Sequence, residues 1–259
     1  MSGAGQVRYQ LVDGVAEVSL CKPPFNGLDF EFLGELLIAL ERARDDEAAR
    51  AVIVRSELET VFCAGLDLSQ IVSKPIDDVR ATVKRLYTDL WDVQCEMGKP
   101  TLASIGGAAR GGGMTLAISC DVIVASQAAS FGYPEIKLGL PPAIHFAHLP
   151  RLIGRAKAFE LLFSGRAFSP DEALSMGLIN TVTAAADLEA RTRDLAASLA
   201  ASAPSSIALA RTAFVRATDA GYRRAVAQAV DDFCDIALTD DAQEGMSAFL
   251  EKRPPRWMR

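Results

Sequence analysis

Between a strand-like apolar run and a helix-like one, the chain reads Ile105-Gly106-Gly107-Ala108-Ala109-Arg110-Gly111-Gly112-Gly113-Met114-Thr115. Glycines at a junction from strand to helix leave backbone N–H groups uncovered near the positive end of a helix dipole. Such groups can bind a phosphate, or stabilise an oxyanion that exists only during a reaction. The identity of the anion therefore determines the class of protein.

The spacing of these glycines excludes two nucleotide-binding motifs. A dinucleotide-binding fingerprint needs glycines at i, i+2 and i+5 after a first strand, and no glycines from Gly106 to Gly113 have that spacing. The Gly-Lys-Ser/Thr of a P-loop is also missing from this stretch. Glycine clusters also occur in tight turns and at closely packed helices, and this alternative stays open here.

The composition predicts a globular protein without a metal centre or a nucleic-acid partner. Its 259 residues suffice for one large domain, or for a domain with a small appendage. The net charge of -6 gives no general basis for binding nucleic acid or an anionic membrane. The five cysteines form no CxxC pair, and only two histidines, His145 and His148, are available as metal ligands.

The chain has no signal for a membrane span or for export. No run of 18 apolar residues occurs, and residues 1–10 lack the apolar core of a signal peptide. An odd number of dispersed cysteines is typical of a reducing compartment. We therefore expect a cytoplasmic protein that contacts no membrane.

Short β-branched runs alternate with helical patterns in the first two thirds of the chain. Four runs predict strands: Val15 to Leu20, Ala51 to Arg55, Thr101 to Ile105 and Val122 to Ala125. Leu33, Leu36, Leu37 and Leu40 fall on one helix face, with Asp29 as the predicted N-cap. A second amphipathic stretch covers residues 77–97. This alternation predicts α/β layers.

The last third of the chain reads as helical. Strand signals stop after about Val182, and alanine-rich helices are predicted over residues 188–203, 206–220, 223–238 and 241–251. The sequence thus predicts an α/β body followed by an all-helical region.

Two further segments carry candidate site residues. The first, Val61-Phe62-Cys63-Ala64-Gly65-Leu66-Asp67-Leu68, follows a buried-looking strand and is rich in small residues. The second, Phe131-Gly132-Tyr133-Pro134-Glu135-Ile136-Lys137-Leu138-Gly139, places a single carboxylate among apolar residues. Apolar surroundings would raise the pKa of Glu135 and suit it to proton transfer near neutral pH. Taken by itself, a glutamate in such a segment is more often a solvated loop residue than a catalytic group.

Together, these three segments resemble the crotonase, or enoyl-CoA hydratase/isomerase, superfamily. The resemblance extends over essentially the whole chain. It includes Lys22-Pro23-Pro24-Phe25-Asn26, Cys120-Asp121, Arg151-Leu152-Ile153-Gly154, Ala173-Leu174-Ser175-Met176-Gly177-Leu178-Ile179-Asn180, and residues 244–253.

The resemblance implies an α/β fold made of a spiral of ββα turns. It places an acyl-CoA site in a core over residues 1–195, and a C-terminal helical region for trimerisation over residues 196–259. It also implies a homotrimer or a dimer of trimers that binds acyl-CoA thioesters. Coenzyme A is then part of the substrate, and no separate cofactor is expected.

The resemblance also assigns roles to individual residues. The amides of Leu66 and Gly112 would hold the thioester oxygen as it becomes an enolate, and Glu135 would be the general acid/base. A preorganised donor of this kind contributes about 3–4 kcal/mol to stabilisation of the transition state. The positions that match coenzyme A contacts are Lys22, Ala64, Leu66, Asp67, Leu68, Gly112, Phe249 and Lys252. For Lys22, Phe249 and Lys252 an ordinary surface role stays open.

One position departs from the family pattern. Hydratases of the family usually carry a second glutamate just after the triple glycine, where this chain has Thr115. One glutamate suffices to move a proton between two carbons, so the resemblance favours double-bond isomerisation over hydration. The segment Gly139-Leu140-Pro141-Pro142 resembles cyclic dienoyl-CoA hydratases, which keeps hydration open.

Other interpretations also stay open on the sequence. They are a coenzyme A-binding protein with little catalysis, and hydrolase or decarboxylase chemistry on a thioester. His145 and His148 lie three residues apart on a predicted helix. The open alternatives for them are hydrogen-bonded packing in the core, a place in the lining of the acyl pocket, and replacement of the missing catalytic group. The acyl group itself would lie between residues 71–87 and 141–148.

Overall fold

The computed structural model describes residues 6–219 and 221–258. The strands are β1 (Val7–Val12), β2 (Val15–Leu20), β3 (Ala51–Ser56), β4 (Val61–Cys63), β5 (Thr101–Ile105), β6 (Ala108–Arg110), β7 (Val122–Ser126), β8 (Ser130–Gly132), β9 (Ala167–Phe168) and β10 (Thr181–Thr183). The helices are α1 (Phe30–Asp45), α2 (Ile76–Lys84), α3 (Leu90–Glu96), α4 (Gly112–Ile118), α5 (Ala143–Ile153), α6 (Arg155–Ser164), α7 (Pro170–Ser175), α8 (Leu188–Ala200), α9 (Pro204–Thr218), α10 (Tyr222–Ala237) and α11 (Asp240–Leu250).

Three successive turns of the chain each place one strand in a large sheet and the next strand in a small one. β3, β5 and β7 are parallel neighbours in the sheet of order β1-β2-β3-β5-β7-β10. β4, β6 and β8 are parallel neighbours in the sheet of order β4-β6-β8-β9. A helical segment follows each strand of the small sheet. This repeat is the expected spiral of ββα turns, and the predicted fold class is confirmed.

The four strands predicted from β-branched runs are confirmed as β2, β3, β5 and β7. They are apolar on both faces because the large sheet is covered on both sides. Val52 and Val54 point into the main core, whereas Ile53 packs with Ala196 of α8. The strands of the small sheet were not predicted, since two or three residues are too few to show a periodicity.

Helix α1 forms as its sequence predicts. The Asp29 carboxylate accepts a hydrogen bond from the Phe32 amide at 2.8 Å and caps the helix. Leu33, Leu36 and Leu40 are fully buried on one face. The predicted N-cap and apolar face are therefore confirmed.

The amphipathic stretch 77–97 is helical but not uniform. A π-helical turn, Arg85–Asp89, separates α2 from α3. Such turns are rare in proteins overall, and those that occur are often found at functional sites. Leu86 and Tyr87 in this turn are buried, and Leu86 reaches the start of α4. The turn thus places side chains beside the glycine-rich segment.

The C-terminal helices α8 to α11 occupy the predicted positions. The expected helix end at residue 220 lies outside the described residues, and so do the outermost residues of both predicted domains. The predicted boundary after residue 195 falls inside α8, which packs on the large sheet. Helix α10 packs on α2 and α5, and α11 packs on the turn Pro134–Leu138. None of the helices in the described ranges is both long and apolar enough to cross a bilayer.

Candidate active site

The three residues predicted to carry the chemistry follow neighbouring strands of the small sheet. Leu66 comes just after β4, Gly112 just after β6, and Glu135 just after β8. Because these strands are parallel, their carboxyl ends lie at one edge of the sheet. The structure therefore brings Leu66, Gly112 and Glu135 together, although about 70 residues separate the first from the last.

The amides of Leu66 and Gly112 lie side by side. A β-carbon placed on Gly112 would be 3.3 Å from the Leu66 nitrogen, and one placed on Gly65 would be 3.0 Å from the Gly112 nitrogen. Gly112 begins α4, so its N–H has no acceptor within the helix. In the described part of the chain, neither amide donates a hydrogen bond to another protein group. Both are available to stabilise an oxyanion.

Other glycines of these loops serve close packing between backbones. A β-carbon on Gly113 would lie 2.2 Å from the Cys63 carbonyl oxygen, and one on Gly107 would lie 2.2 Å from the Thr60 carbonyl carbon. The β4 and β6 loops can approach each other only without these side chains. Gly107 and Gly113 therefore have the close-packing role that the sequence left open. This packing holds the Leu66 and Gly112 amides in place.

Glu135 lies in the short 3-10 turn Pro134–Leu138, and its carboxylate faces the glycine segment. Its Oε2 atom is buried and has no hydrogen-bond partner among the described residues, and no cation pairs with it there. Burial raises the pKa of Glu135 to about 7. Glu135 is half-buried as a residue, but its Oε2 atom is shielded from solvent, unlike that of a fully solvated loop carboxylate. A carboxyl group with this pKa can both accept and return a proton near neutral pH.

Thr115 and His145 form a contact that the sequence did not predict. Thr115 lies one helical turn after Gly112, and its hydroxyl is 3.2 Å from His145 Nε2 in the buried interior. Burial lowers the pKa of His145 to about 3 and that of His148 to about 4, so both imidazoles are neutral. The sequence had singled out Thr115 and His145 separately, but no local pattern joins positions on two different helices.

A small cavity lies beside Thr115. Its volume is about 10 Å³, on the order of one water molecule. Its lining is mainly aromatic and aliphatic: Leu86, Tyr87, Leu90, Trp91, Thr115, Ile118, Ser119, Ile144 and Tyr222. Tyr87 and Ile144 belong to the two ranges expected for the acyl pocket, whereas Trp91 and Tyr222 were not anticipated. Their rings meet edge-on at 4.5 Å.

The predicted coenzyme A contacts fall into two groups. Ala64, Asp67 and Leu68 surround Leu66, and the Asp67 carboxylate accepts the Ser69 amide at 3.0 Å, which fixes this loop. Lys22, by contrast, uses its ammonium group within the fold. It forms an ion pair with Asp29 and donates to the Gly27 carbonyl oxygen at 2.8 Å.

Phe249 and Lys252 lie at the end of α11. Phe249 is 60% exposed and Lys252 is exposed. Helix α11 packs against the 3-10 turn Leu68–Gln70 and against the turn that carries Glu135. Over residues 6–219 and 221–258, no hydrogen bond or ion pair joins Phe249 or Lys252 to the Leu66 loop. The same residues hold no cluster of three or more His, Cys, Asp or Glu side chains arranged for a metal ion.

Comparison with known proteins agrees with this arrangement. The enoyl-CoA hydratase/isomerase family matches residues 10–259. Carnitinyl-CoA dehydratase of Proteus mirabilis is 35% identical over 94% of each chain. Human mitochondrial enoyl-CoA hydratase domain-containing protein 2 is 36% identical, over 95% of this chain and 86% of the human one. Human mitochondrial delta3-delta2-enoyl-CoA isomerase superposes with a TM-score of 0.87 and 26% identity, over 95% of this chain and 97% of the other. The chain therefore belongs to the enoyl-CoA hydratase/isomerase family of the crotonase superfamily.

Proposed function

We propose that the protein is an enoyl-CoA isomerase with Glu135 as its single proton carrier. The observation that carries this proposal is the Glu135 Oε2 atom, which is buried near the Leu66 and Gly112 amides and has no hydrogen-bond partner among the described residues. Thr115 occupies the position where a second carboxylate would be needed for two-glutamate hydration. A solved isomerase is also among the structures that superpose on this chain.

The reaction needs one base and one oxyanion site. Glu135 removes a proton from carbon 2 of a 3-enoyl thioester, and the electron pair moves through the double bond and the carbonyl group. The resulting negative charge on the thioester oxygen is stabilised by the two backbone amides, each contributing about 3–4 kcal/mol. Glu135 then returns the same proton to carbon 4, which yields the 2-enoyl thioester and regenerates the carboxylate.

Coenzyme A binding is assigned in the same proposal to the loop around Leu66 and to the end of α11. Ala64, Asp67 and Leu68 border the oxyanion site, and Phe249 and Lys252 offer an aromatic ring and a cation for the adenine and phosphates. Because Lys22 pairs with Asp29, we expect its replacement to affect stability more than coenzyme A affinity.

We also propose that the protein assembles as a homotrimer or a dimer of trimers. Within the described residues, no residue of helix α9 is fully buried in the single chain. Leu209 and Phe214 on α9 are 73% and 67% exposed. Apolar surface of this extent on one helix is typical of an interface.

Hydration is the second candidate, and one observation favours it. The Thr115 hydroxyl borders a cavity of about one water molecule. In this candidate reaction Thr115 would bind the water and Glu135 would activate it. The similarity to a carnitinyl-CoA dehydratase is in keeping with this reaction class.

Two substrates separate the candidates. The protein is incubated with crotonyl-CoA and with cis-3-hexenoyl-CoA, and the products are followed by mass spectrometry and by absorbance of the conjugated thioester. Isomerisation converts the 3-enoyl ester without a change in mass and leaves crotonyl-CoA intact. Hydration adds the mass of water to crotonyl-CoA and would reject the first proposal. Binding of both esters without conversion would reject both.

A further inference from the structure

The turn that carries Glu135 is in direct backbone contact with helix α11. A β-carbon on Gly245 of α11 would lie 2.3 Å from the carbonyl oxygen of Leu138, the last residue of the turn. A β-carbon on Gly139 would lie 3.0 Å from the α-carbon of Ala242, and Gly139 has a φ of 72°. Each element therefore needs a glycine at the contact, because a side chain would keep the two backbones apart.

The C-terminal tail, residues 251–257, folds back over this contact. Arg253 donates two hydrogen bonds to the Glu244 carboxylate of α11, at 2.7 and 3.0 Å. A bidentate pair of this kind fixes the geometry of both partners. The tail thereby places the indole ring of Trp257 beside Gly245, where its Cη2 atom would lie 2.8 Å from a β-carbon. The ring covers the junction between α11 and the turn.

Helix α11 also contacts the loop that follows Leu66. It packs against the 3-10 turn Leu68–Gln70. The Ser73 amide donates a hydrogen bond to the side-chain oxygen of Gln243 on α11 at 3.2 Å. One helix thus contacts both the loop with a proposed oxyanion amide and the turn that carries Glu135. The position of α11 therefore influences the distance between them.

The turn has a second backbone contact at Glu135 itself. The Oε1 atom would lie 2.7 Å from a β-carbon on Gly111. The Oε2 atom is buried and, among the described residues, has no hydrogen-bond partner that would keep it in place. The carboxylate therefore depends on the contacts of its turn with Gly111 and with α11. Loss of the α11 contact would let the turn move and would admit water to Oε2.

We propose that Gly245 and Trp257 are positioning residues for Glu135, which hold α11 against the turn and keep the carboxylate beside the two amides. This inference rests on the proposed role of Glu135 as the proton carrier, but the surroundings of Glu135 can be measured without turnover. An alanine at position 245 would separate α11 from the turn, because close-packed backbones cannot yield as the end of a flexible side chain can.

Few charges act on Glu135, so its titration reports its contact with water. Tyr87 and Tyr133 are close enough to interact with its charge. Burial raises the pKa of both hydroxyl groups, so they stay neutral near pH 7. Lys137 of the same turn extends toward the end of α6. None of these three groups changes its charge in the range where Glu135 titrates.

The charged residues of neighbouring elements are engaged elsewhere or exposed. Arg110 of β6 donates to the Ser130 carbonyl oxygen at 2.6 Å. Glu244 of α11 pairs with Arg253 of the C-terminal tail. A shift in the pKa of Glu135 therefore follows its exposure to water. The exposed charged residues of α6 and α11 are Arg155, Lys157, Glu160, Asp240 and Asp241.

The test measures the pKa of Glu135 by infrared difference spectroscopy, with the Glu135→Gln variant as the blank. Burial raises this pKa to about 7 in the intact protein. In Gly245→Ala, water should reach the carboxylate and lower the pKa by about one unit or more, toward the ordinary glutamate value. The kcat for isomerisation should fall about 10- to 100-fold, the effect of a misplacement of about 1 Å.

Gly34→Ala is the matched control for Gly245→Ala. Gly34 also lies inside a helix, but its β-carbon would meet only the guanidinium end of the flexible Arg85 side chain. This variant should keep the wild-type pKa of Glu135. Trp257→Ala removes the ring without adding an atom at the contact, and it should lower the pKa in the same direction by a smaller amount. Its control is Met258→Ala, since Met258 is 71% exposed, and no change is expected there.

A folded Gly245→Ala variant with the wild-type pKa of Glu135 would overturn the role of Gly245, even if its stability in urea were reduced. An unchanged pKa in Trp257→Ala would overturn the role of Trp257. If Gly245→Ala does not fold, Trp257→Ala decides the proposal. A wild-type protein that does not convert the 3-enoyl ester rejects the proposed function, whereas the pKa comparison among the variants still tests the positioning role.

Discussion

The carboxylate of Glu135 lies directly against the backbone of Gly111, where a β-carbon would be only 2.7 Å from Oε1. Gly111 has a φ of 48° and donates its N–H to the Gly132 carbonyl oxygen at 3.1 Å. The next residue, Gly112, carries one of the two amides proposed to stabilise the oxyanion. One tight turn thus positions both the proposed proton carrier and a proposed oxyanion donor, and a shift in this turn would disturb both.

Glu135→Gln should lower kcat by about 10²–10⁴-fold. The amide keeps the size of the side chain but cannot accept the proton from carbon 2. Because the proposed coenzyme A contacts are elsewhere, KM should change little. Steady-state kinetics with a 3-enoyl-CoA provide the measurement, and near-normal turnover would reject Glu135 as the proton carrier.

Gly111→Ala should impair catalysis as well as stability. The added methyl group would displace the Glu135 carboxylate, and the positive φ is strained for alanine, at a cost of about 1–3 kcal/mol in free energy of unfolding. Gly177→Ala is the matched control, since Gly177 has a φ of 76° and no atom within 4 Å of its would-be β-carbon. The control should lose stability in urea unfolding while retaining its kcat. Equal kcat in both variants would contradict the steric role of Gly111.

The pH profile of kcat/KM should report the titration of Glu135. Glu135 acts as a base only when ionised, and burial raises its pKa to about 7. Activity should therefore rise with pH up to about 7 and level off above it. The histidines do not account for this inflection, because burial lowers the pKa of His145 to about 3 and that of His148 to about 4. The His148→Gln variant should show the same inflection if the histidines do not cause it. An inflection near pH 4.5 in the wild-type protein would instead indicate a solvated Glu135.

Lys252→Ala should raise the KM for acyl-CoA about two- to fivefold, the effect of an exposed ion pair. Its kcat should not change, because coenzyme A is bound equally in the ground and transition states. High salt should weaken acyl-CoA binding by the wild-type protein more than binding by the variant, since salt screens the attraction between Lys252 and the coenzyme A phosphates. Lys157→Ala, on the exposed side of α6, serves as a control and should retain the wild-type KM.

Much of the fold could be predicted from local patterns. The apolar runs that became β2, β3, β5 and β7 are long enough to show strand character, and Asp29 marked the start of α1. The strands β4, β6 and β8 are only three residues long, and their pairing depends on neighbours distant in sequence. Their existence could be inferred only through the resemblance to a family.

The candidate site, like the fold, has features that the sequence predicts and others that only the tertiary structure shows. The family resemblance carried by the segments around Leu66, Gly112 and Glu135 was sufficient to select these positions from the sequence. The contact between Thr115 and His145 was not predictable, because it joins two helices 30 residues apart. Trp91 and Tyr222 were also missed, because aromatic residues at helical spacing usually indicate ordinary core packing.

The sequence by itself determined the family, four strands of the large sheet, the helices of the C-terminal region and the chemical types available at the site, because these depend on residues close together in the chain. Only the tertiary structure decided how the site works. Burial raises the pKa of Glu135, the parallel strands of the small sheet align two amides, and the packing of α4 against α5 pairs Thr115 with His145. Burial and distance between remote segments are properties of the folded chain, and they place the amides of a glycine-rich stretch where the proposed oxyanion site needs them.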